Sequence, residues 1–169
     1  GGIFTACGKV QVTDAVLKKM FKSVREKQVE EIRANCDIRG EEFLIPRDGK
    51  KSVQTYLYHP QNGGEKLPVL VNIHGGGWVG NDALVLDTQS GKLADRLGCL
   101  VVNLNYVKAD EEPFPYCQEE ARDVLEYFID HADELGVDGT RIAVMGYSAG
   151  GQISAAAAQM VYDDGYQIS

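Results

Sequence analysis

Three continuous apolar runs constrain the fold of this chain most strongly. They are the segments LPVLVNIHG, GCLVVNLNY and RIAVM. Runs of this kind are typical of strands that are buried on both faces of a sheet, because neither face meets water. Helices are predicted between and after them, over about 84–97, 117–135 and 149–162. This alternation implies right-handed crossovers and predicts an α/β fold, with a mostly parallel sheet covered by helices on both faces.

The residues before the first run predict a helix and then an antiparallel hairpin. Val16, Met20, Val24 and Ile32 form an apolar helical stripe over about 13–35, and Thr13 or Asp14 can cap its start. We expect a packing element, with a lid over a binding site as the alternative. The segments CDIRGEEFLIP and SVQTYLYHP alternate apolar and polar residues and end in turn clusters, which predicts the hairpin. We expect one partial domain, in which 1–36 is a helical cap segment and 37–169 is the first half of the sheet.

Composition favours a soluble globular protein. The 169 residues are 44% hydrophobic, and 17 basic against 25 acidic residues give a formal charge of -8. This charge opposes contacts with phosphate, so neither nucleic acid nor an anionic membrane is an expected partner. No apolar run approaches the ~20 residues that span a bilayer, and GGIFTACGKVQV does not resemble a signal peptide. The four cysteines suggest neither a zinc site nor a disulfide framework, so we expect free thiols and a cytoplasmic protein.

A glycine-flanked serine follows the third apolar run. Gly146-Tyr147-Ser148-Ala149-Gly150 fits the pattern G-x-S-x-G. The pattern alone is weak, but here it lies between a buried strand and a helix, where a nucleophilic serine takes a strained conformation and exposes its hydroxyl. Gly146 and Gly150 have a steric reason, because a Cβ would collide across so sharp a turn. The context therefore predicts that Ser148 is a nucleophile.

A run of glycines follows the first apolar run. In His74-Gly75-Gly76-Gly77-Trp78, three consecutive glycines allow backbone N–H groups to approach a ligand without obstruction by side chains. With the N–H of Ala149, which follows the serine, they can form an oxyanion hole. Alone, the run also fits a flexible loop. The two motifs together favour a catalytic site.

Three segments carry a resemblance to a known family. VNIHGGGWVG, VVNLNYVKADEEPFPYCQEEARDVLEYF and GVDGTRIAVMGYSAGG resemble the α/β-hydrolases of the hormone-sensitive-lipase type, a family of serine carboxylesterases. The resemblance covers about 53–160. It implies that Ser148 is the nucleophile, that the N–H groups of Gly76, Gly77 and Ala149 form the oxyanion hole, and that His74 is structural. It implies no metal and no organic cofactor.

The acid and the histidine of the family's catalytic triad, which follow the serine in chain order, have no counterpart here. His59, His74 and His131 all precede Ser148, and we expect the Asp163 and Asp164 carboxylates to be solvated at a helix end. A serine without a base is a poor nucleophile, so the chain alone is expected to be nearly inactive. The later strands are missing as well. The last strand is therefore expected to have an unpaired apolar edge that favours self-association or a complementary C-terminal half.

These observations predict the amino-terminal portion of a serine carboxylesterase that hydrolyses small acyl esters through an acyl-enzyme intermediate. A truncated or proteolysed product, a natural two-chain enzyme and a degenerate gene product would each explain the length, and truncation is favoured. A second hypothesis is a non-catalytic protein of the same fold that binds a small molecule. A third keeps the reaction class but takes a formamide or an acetylated sugar as substrate.

Overall fold

The computed structural model describes residues 13–169, and the expectations for Cys7 and for a signal peptide lie outside them. Cys36, Cys99 and Cys117 are free thiols. Between residues 13 and 169, no helix has the length and apolarity needed to cross a bilayer. The elements in chain order are α1 (Asp14–Asn35), β1 (Glu41–Arg47), β2 (Lys50–Tyr58), β3 (Leu67–Ile73), a 3-10 turn (Ala83–Leu86), α2 (Asp87–Leu97), β4 (Leu100–Asn105), α3 (Tyr116–Asp130), α4 (Ala132–Leu135), β5 (Val137–Gly146) and α5 (Ala149–Asp163).

The five strands form one mixed sheet in the order β1-β2-β4-β3-β5. β1 and β2 form the predicted antiparallel hairpin, and β2 is also antiparallel to β4. β4, β3 and β5 are parallel, so the predicted α/β class is confirmed. β5 is an edge strand among the described residues, and the Ser169 N–H donates to the Ile142 carbonyl of β5 at 2.8 Å.

Helices cover both faces of the sheet, as predicted. On one face, the apolar sides of α3 and α5 pack against alternate residues of β3 and β4, including Val71, Val102 and Leu104. On the other face, the 3-10 turn and α2 pack near Tyr56, Tyr58 and Val101. Strands whose side chains are apolar on both faces are therefore enclosed on both faces, which is why the three runs lack polar alternation.

Helix α1 differs from its predicted packing. Thr13 caps it as expected, by accepting a hydrogen bond from the Val16 N–H. The apolar stripe, however, is exposed in its first half: 56% of Met20 and 68% of Val24 are accessible. The helix meets the body of the protein through polar side chains, among them Arg25 and Gln28, and through the half-buried residues of its last turns. The expected packing through the stripe does not hold for the first half of α1, and the hydrogen bonds of Arg25 and Gln28 to the body come from its second half.

Two helix boundaries also differ from the predicted ones. The helix expected over 117–135 is divided at His131 into α3 and α4. The helix expected from residue 84 begins as a 3-10 turn, in which the Asp82 carboxylate accepts from the Leu84 N–H at 3.0 Å. Gly98 and Gly136 end α2 and α4 in the left-handed conformation, at φ of 62° and 66°. Glycine adopts that conformation without a Cβ penalty, so these ends were recognisable.

Candidate active site

The glycine run and the serine motif meet at the carboxyl ends of two neighbouring parallel strands. Ile73 of β3 and Gly146 of β5 are register partners, and the Tyr147 N–H donates to the Ile73 carbonyl at 3.1 Å. A Cβ placed on Gly75 would lie 3.3 Å from the Cβ of Ser148. The two motifs, 74 positions apart in the chain by their numbering, therefore lie so close that a side chain at position 75 would crowd Ser148.

Ser148 occupies a sharp turn between β5 and α5. Its φ of 52° and ψ of -117° are unusual for a residue with a side chain, and its side chain is exposed. Backbone conformations of this kind cost about 1–3 kcal/mol and persist only where the surroundings enforce them. Here the flanking glycines permit the turn: a Cβ on Gly146 would overlap the Gly150 carbonyl, and one on Gly150 would overlap the Ile73 carbonyl. The Ala149 N–H lies in the first turn of α5, where backbone donors have no partner within the helix.

The glycine run forms a tight turn beside the serine. Gly76 and Gly77 have φ of 131° and 61°, in the region that favours glycine. The Gly76 carbonyl accepts from the N–H groups of Gly80 at 2.8 Å and Val79 at 3.3 Å, and a Cβ on Gly76 would overlap the Gly80 carbonyl. These contacts fix the peptide unit that joins Gly76 to Gly77, and therefore the direction of the Gly77 N–H.

The His74 ring contacts the peptide unit that joins Gly75 to Gly76 and not the serine. Its ring is buried, and Nδ1 lies 2.7 Å from the Gly75 carbonyl oxygen. Burial, helped by the nearby Lys108 ammonium, lowers the pKa of His74 to about 4, so the ring is neutral near pH 7. The neutral tautomer that carries its proton on Nδ1 donates to Gly75. The carbonyl of Gly75 and the N–H of Gly76 belong to one planar unit and point in opposite directions. His74 therefore helps to aim the Gly76 N–H.

A layered stack supports His74 from behind. The Tyr106 ring lies parallel to the imidazole with 4.4 Å between ring centres, and its hydroxyl donates to the His74 carbonyl at 3.1 Å. The buried Lys108 ammonium lies 4.3 Å from the centre of the Tyr106 ring and donates to the Tyr106 carbonyl. Burial lowers the pKa of Lys108 to about 8. The stack restrains the plane of the imidazole, and within that plane Nδ1 faces the Gly75 carbonyl.

The other two histidines lie at the opposite end of the parallel strands from Ser148. His59 follows β2, which runs antiparallel to β4, so it lies near the amino ends of the parallel strands. His131 lies between α3 and α4, just before the start of β5, where it stacks on Tyr127 with ring centres 4.1 Å apart. None of the three histidines has a hydrogen bond to Ser148 among the contacts of residues 13–169.

Asp163 and Asp164 are equally remote from the serine. They end α5, whose 15 residues place them ~20 Å from Ser148 along the helix axis. The Asp163 carboxylate accepts from Gln159 at 2.9 Å, and Asp164 lies 4.0 Å from Arg122. Within residues 13–169, the structure therefore brings the glycine loop to Ser148, but it places none of these histidines or aspartates beside that serine.

An apolar cavity of about 450 Å³ opens beside Gly77. It is lined by Gly77, Trp78, Ala109, Phe114, Cys117, Gln118 and Gln152. The Gln152 side-chain oxygen accepts from the Trp78 indole N–H at 3.2 Å and from the Gln118 amide at 2.9 Å. These bonds hold the indole against the first turns of α3 and α5. Neither glutamine was predicted from the sequence, because a glutamine in a helix carries no signal of its own.

Asn81 was also missed. Its φ of 65° is left-handed, and its side-chain amide donates to the Gly75 carbonyl at 3.1 Å. Asparagine is among the few residues with side chains that tolerate this conformation. Its position directly after Gly80 was therefore a signal for a turn, although not for this contact.

A serine in a sharp strand-to-helix turn and a facing glycine loop on an α/β sheet define the class of protein. Residues 70–169 match the family model described as the alpha/beta hydrolase fold. The chain belongs to this family. It is 35% identical over 162 residues to a carboxylesterase of Mycobacterium tuberculosis, covering 96% of this chain and 48% of the relative. It is 46% identical over 99 residues to an arylacetamide deacetylase of Oryctolagus cuniculus, covering 56% of this chain and 25% of that protein.

Solved esterase structures share the architecture. An esterase of the archaeon Pyrobaculum calidifontis has a TM-score of 0.72 at 35% identity, covering 92% of this chain and 49% of its own. A bacterial heroin esterase has a TM-score of 0.77 at 32% identity, covering 88% and 49%. The chain spans about half the length of the carboxylesterase and of both solved structures.

Proposed function

We propose that the natural protein containing this chain is a serine carboxylesterase with Ser148 as its nucleophile. The observation that carries the proposal is the exposed Ser148, held at a strained φ of 52° in contact with the glycine loop. Strained residues of this kind cluster at functional sites. The esterase relatives support the reaction class.

In the proposed reaction, Ser148 Oγ forms a bond to the acyl carbon of an ester while its proton passes to a base. The carbonyl electron pair moves onto oxygen, and the N–H groups of Gly76, Gly77 and Ala149 donate to this oxyanion. The intermediate then expels the alcohol, which takes the proton from the base. Water repeats the sequence on the acyl-enzyme and releases the acid.

We propose that a histidine and an acidic residue outside these 169 residues supply the proton transfer. The positions of His59, His74 and His131 support this, because none of them faces Ser148. The length of the relatives leaves room for such residues. The outer edge of β5 is where we propose that further strands, or a second polypeptide, join the sheet, because β5 is an edge strand among residues 13–169.

The apolar cavity beside Gly77 supports a small acyl or aryl group as the part of the substrate that is bound there. Trp78 and Phe114 offer aromatic surface, and Gln118 is held by Gln152. This lining favours an ester over an acetylated sugar, whose hydroxyls would need more polar partners. An N-acetylated arylamine is a second candidate substrate, because the same cavity fits an aromatic ring and one relative is named an arylacetamide deacetylase.

Hydrolysis of p-nitrophenyl acetate and butyrate by the natural full-length protein tests the proposal. Ser148→Ala is expected to lower kcat by at least about 10³-fold, as the loss of a nucleophile does. Ser154→Ala, on the same helix, is the matched control and should retain turnover. A fluorophosphonate should add one phosphonyl group to the parent protein and none to the Ser148→Ala variant. Undiminished turnover in Ser148→Ala would exclude Ser148 as the nucleophile, and binding of esters without turnover or labelling would favour a binding protein.

A further inference from the structure

The amide of Asn81 is placed to control the direction of one oxyanion donor. Its nitrogen donates to the Gly75 carbonyl at 3.1 Å, and the His74 ring lies 2.7 Å from the same oxygen. The two donors saturate this carbonyl. Because the Gly76 N–H is the other end of the same planar peptide, rotation of that peptide would break both hydrogen bonds.

The left-handed conformation of Asn81 makes this contact possible. Its φ of 65° is costly for most residues with a Cβ, and a Cβ on Gly76 would lie 3.1 Å from the Asn81 nitrogen. The left-handed turn brings the amide back over the glycine loop. Asparagine is therefore needed here both for its backbone tolerance and for its donor.

A side chain of α1 supports the orientation in which the Asn81 nitrogen faces Gly75. The Gln28 amide nitrogen donates to the Asn81 side-chain oxygen at 3.2 Å. With its oxygen occupied by Gln28, Asn81 presents its nitrogen to the Gly75 carbonyl. If the Asn81 amide were reversed, two oxygens would face each other at Gly75, and the Gln28 amide would have to reverse as well.

A second contact ties α1 to the same turn. The Arg25 guanidinium donates to the Val79 carbonyl at 2.7 Å and binds the Asp110 carboxylate at 2.8 and 2.9 Å. The Asp110 side chain is 5% exposed, so this ion pair is shielded from water. It anchors α1 where Gln28, three residues further along the helix, meets Asn81.

We propose that Asn81 is a positioning residue for the Gly76 N–H and that Gln28 of α1 stabilises the orientation of its amide. The proposal rests on the proposed function, in which Gly76 is an oxyanion donor. Helix α1 thereby contributes to the geometry of the oxyanion hole.

The test compares substitutions at both positions in the natural full-length protein. Asn81→Gly keeps the left-handed backbone and removes the donor. We expect kcat to fall about tenfold with KM nearly unchanged, which is less than the 10²- to 10³-fold loss of an oxyanion donor itself. The inhibition constant of a boronic acid that forms a tetrahedral adduct with Ser148 should rise by the same factor as kcat/KM falls.

Substitutions of Gln28 discriminate between orientation and simple loss of contact. Gln28→Ala removes the hydrogen bond to the Asn81 oxygen without opposing either orientation of the amide, and we expect kcat to fall about twofold. Gln28→Glu offers only acceptors, which favour the reversed amide, so kcat should fall further, to about the Asn81→Gly level. Ser23→Glu adds the same charge at an exposed position of α1 and should leave kcat unchanged. Equal rates in the two Gln28 variants would overturn the proposed orientation by Gln28.

A measurement that does not need activity separates this inference from the proposed function. In the 15N relaxation of the Gly76 amide, Asn81→Gly and Gln28→Glu should show exchange broadening that the parent and Ser23→Glu lack. Broadening in a protein without esterase activity would support the positioning role and reject the function. Active enzyme with an unchanged Gly76 amide and unchanged kcat in Asn81→Gly would overturn the positioning role alone.

Discussion

Two adjacent glycines at the start of α5 have opposite steric surroundings, and alanine substitutions should separate them. A Cβ on Gly150 would overlap the Ile73 carbonyl and lie 2.6 Å from the His74 carbonyl, both at the end of β3. A Cβ on Gly151 would meet nothing closer than the Gly146 carbonyl at 3.5 Å, an ordinary contact. Gly150→Ala must therefore push α5 away from β3, whereas Gly151→Ala needs no movement.

The expected magnitudes follow from two opposing effects. Replacing glycine by alanine in a helix stabilises by up to ~1 kcal/mol, and this gain is similar at both positions. Overpacking against fixed backbone costs about 1–3 kcal/mol, and applies at Gly150 only. Gly151→Ala should thus be neutral or slightly stabilising. Gly150→Ala should lower the free energy of unfolding by about 1–3 kcal/mol relative to Gly151→Ala.

Urea unfolding followed by circular dichroism measures this difference. With m of about 2 kcal/mol/M, the midpoints of the two variants should differ by roughly 1 M. Gly151→Ala is the control for Gly150→Ala, because both variants make the same substitution in the same turn of α5. Equal midpoints with equal m would refute the argument that contact between α5 and β3 requires glycine at position 150.

Two further predictions concern a buried carboxyl and the indole beside the cavity. Burial raises the pKa of Glu120 from 4.5 to about 7, so the folded state holds its proton more tightly than the unfolded state. The stability that this group contributes is present below pH 4.5 and is lost as pH rises to about 7. Across that window, the free energy of unfolding of Glu120→Gln should therefore rise relative to the parent by up to about 3 kcal/mol. Urea titrations at several pH values measure this difference. Trp78 is the only tryptophan of the sequence and donates to Gln152. Gln152→Leu should increase acrylamide quenching of its fluorescence, and unchanged quenching would contradict that restraint.

Much of the fold could be predicted because its signals are local. Continuous apolar runs predicted β3, β4 and β5, and alternation predicted the hairpin. The position of β4 between β2 and β3 was not predictable, since pairing between distant segments leaves no periodicity within either one. The prediction that α1 packs through its apolar stripe was wrong in the first half of the helix for a related reason. Periodicity showed which face is apolar, but the contacts of Arg25 and Gln28 determine which face meets the body.

Some features of the candidate site could also be predicted from the sequence, and others could not. The proximity of the glycine loop to Ser148 follows from both motifs ending parallel strands, and the structure brings them together. The contacts of Asn81 and Gln152 could not be predicted, because each depends on a side chain reaching a partner from a different element. Such contacts are fixed by tertiary packing, which a single sequence does not display.

The hydrogen bonds to the Gly75 and Gly76 carbonyls have a consequence for how the chemistry is divided along the polypeptide. His74, Asn81, Val79 and Gly80 supply them all, and the nearest support of Asn81 is Gln28. In the proposed enzyme, the residues that stabilise the oxyanion therefore lie within these 169 residues, and those that transfer the proton lie in another part of the polypeptide.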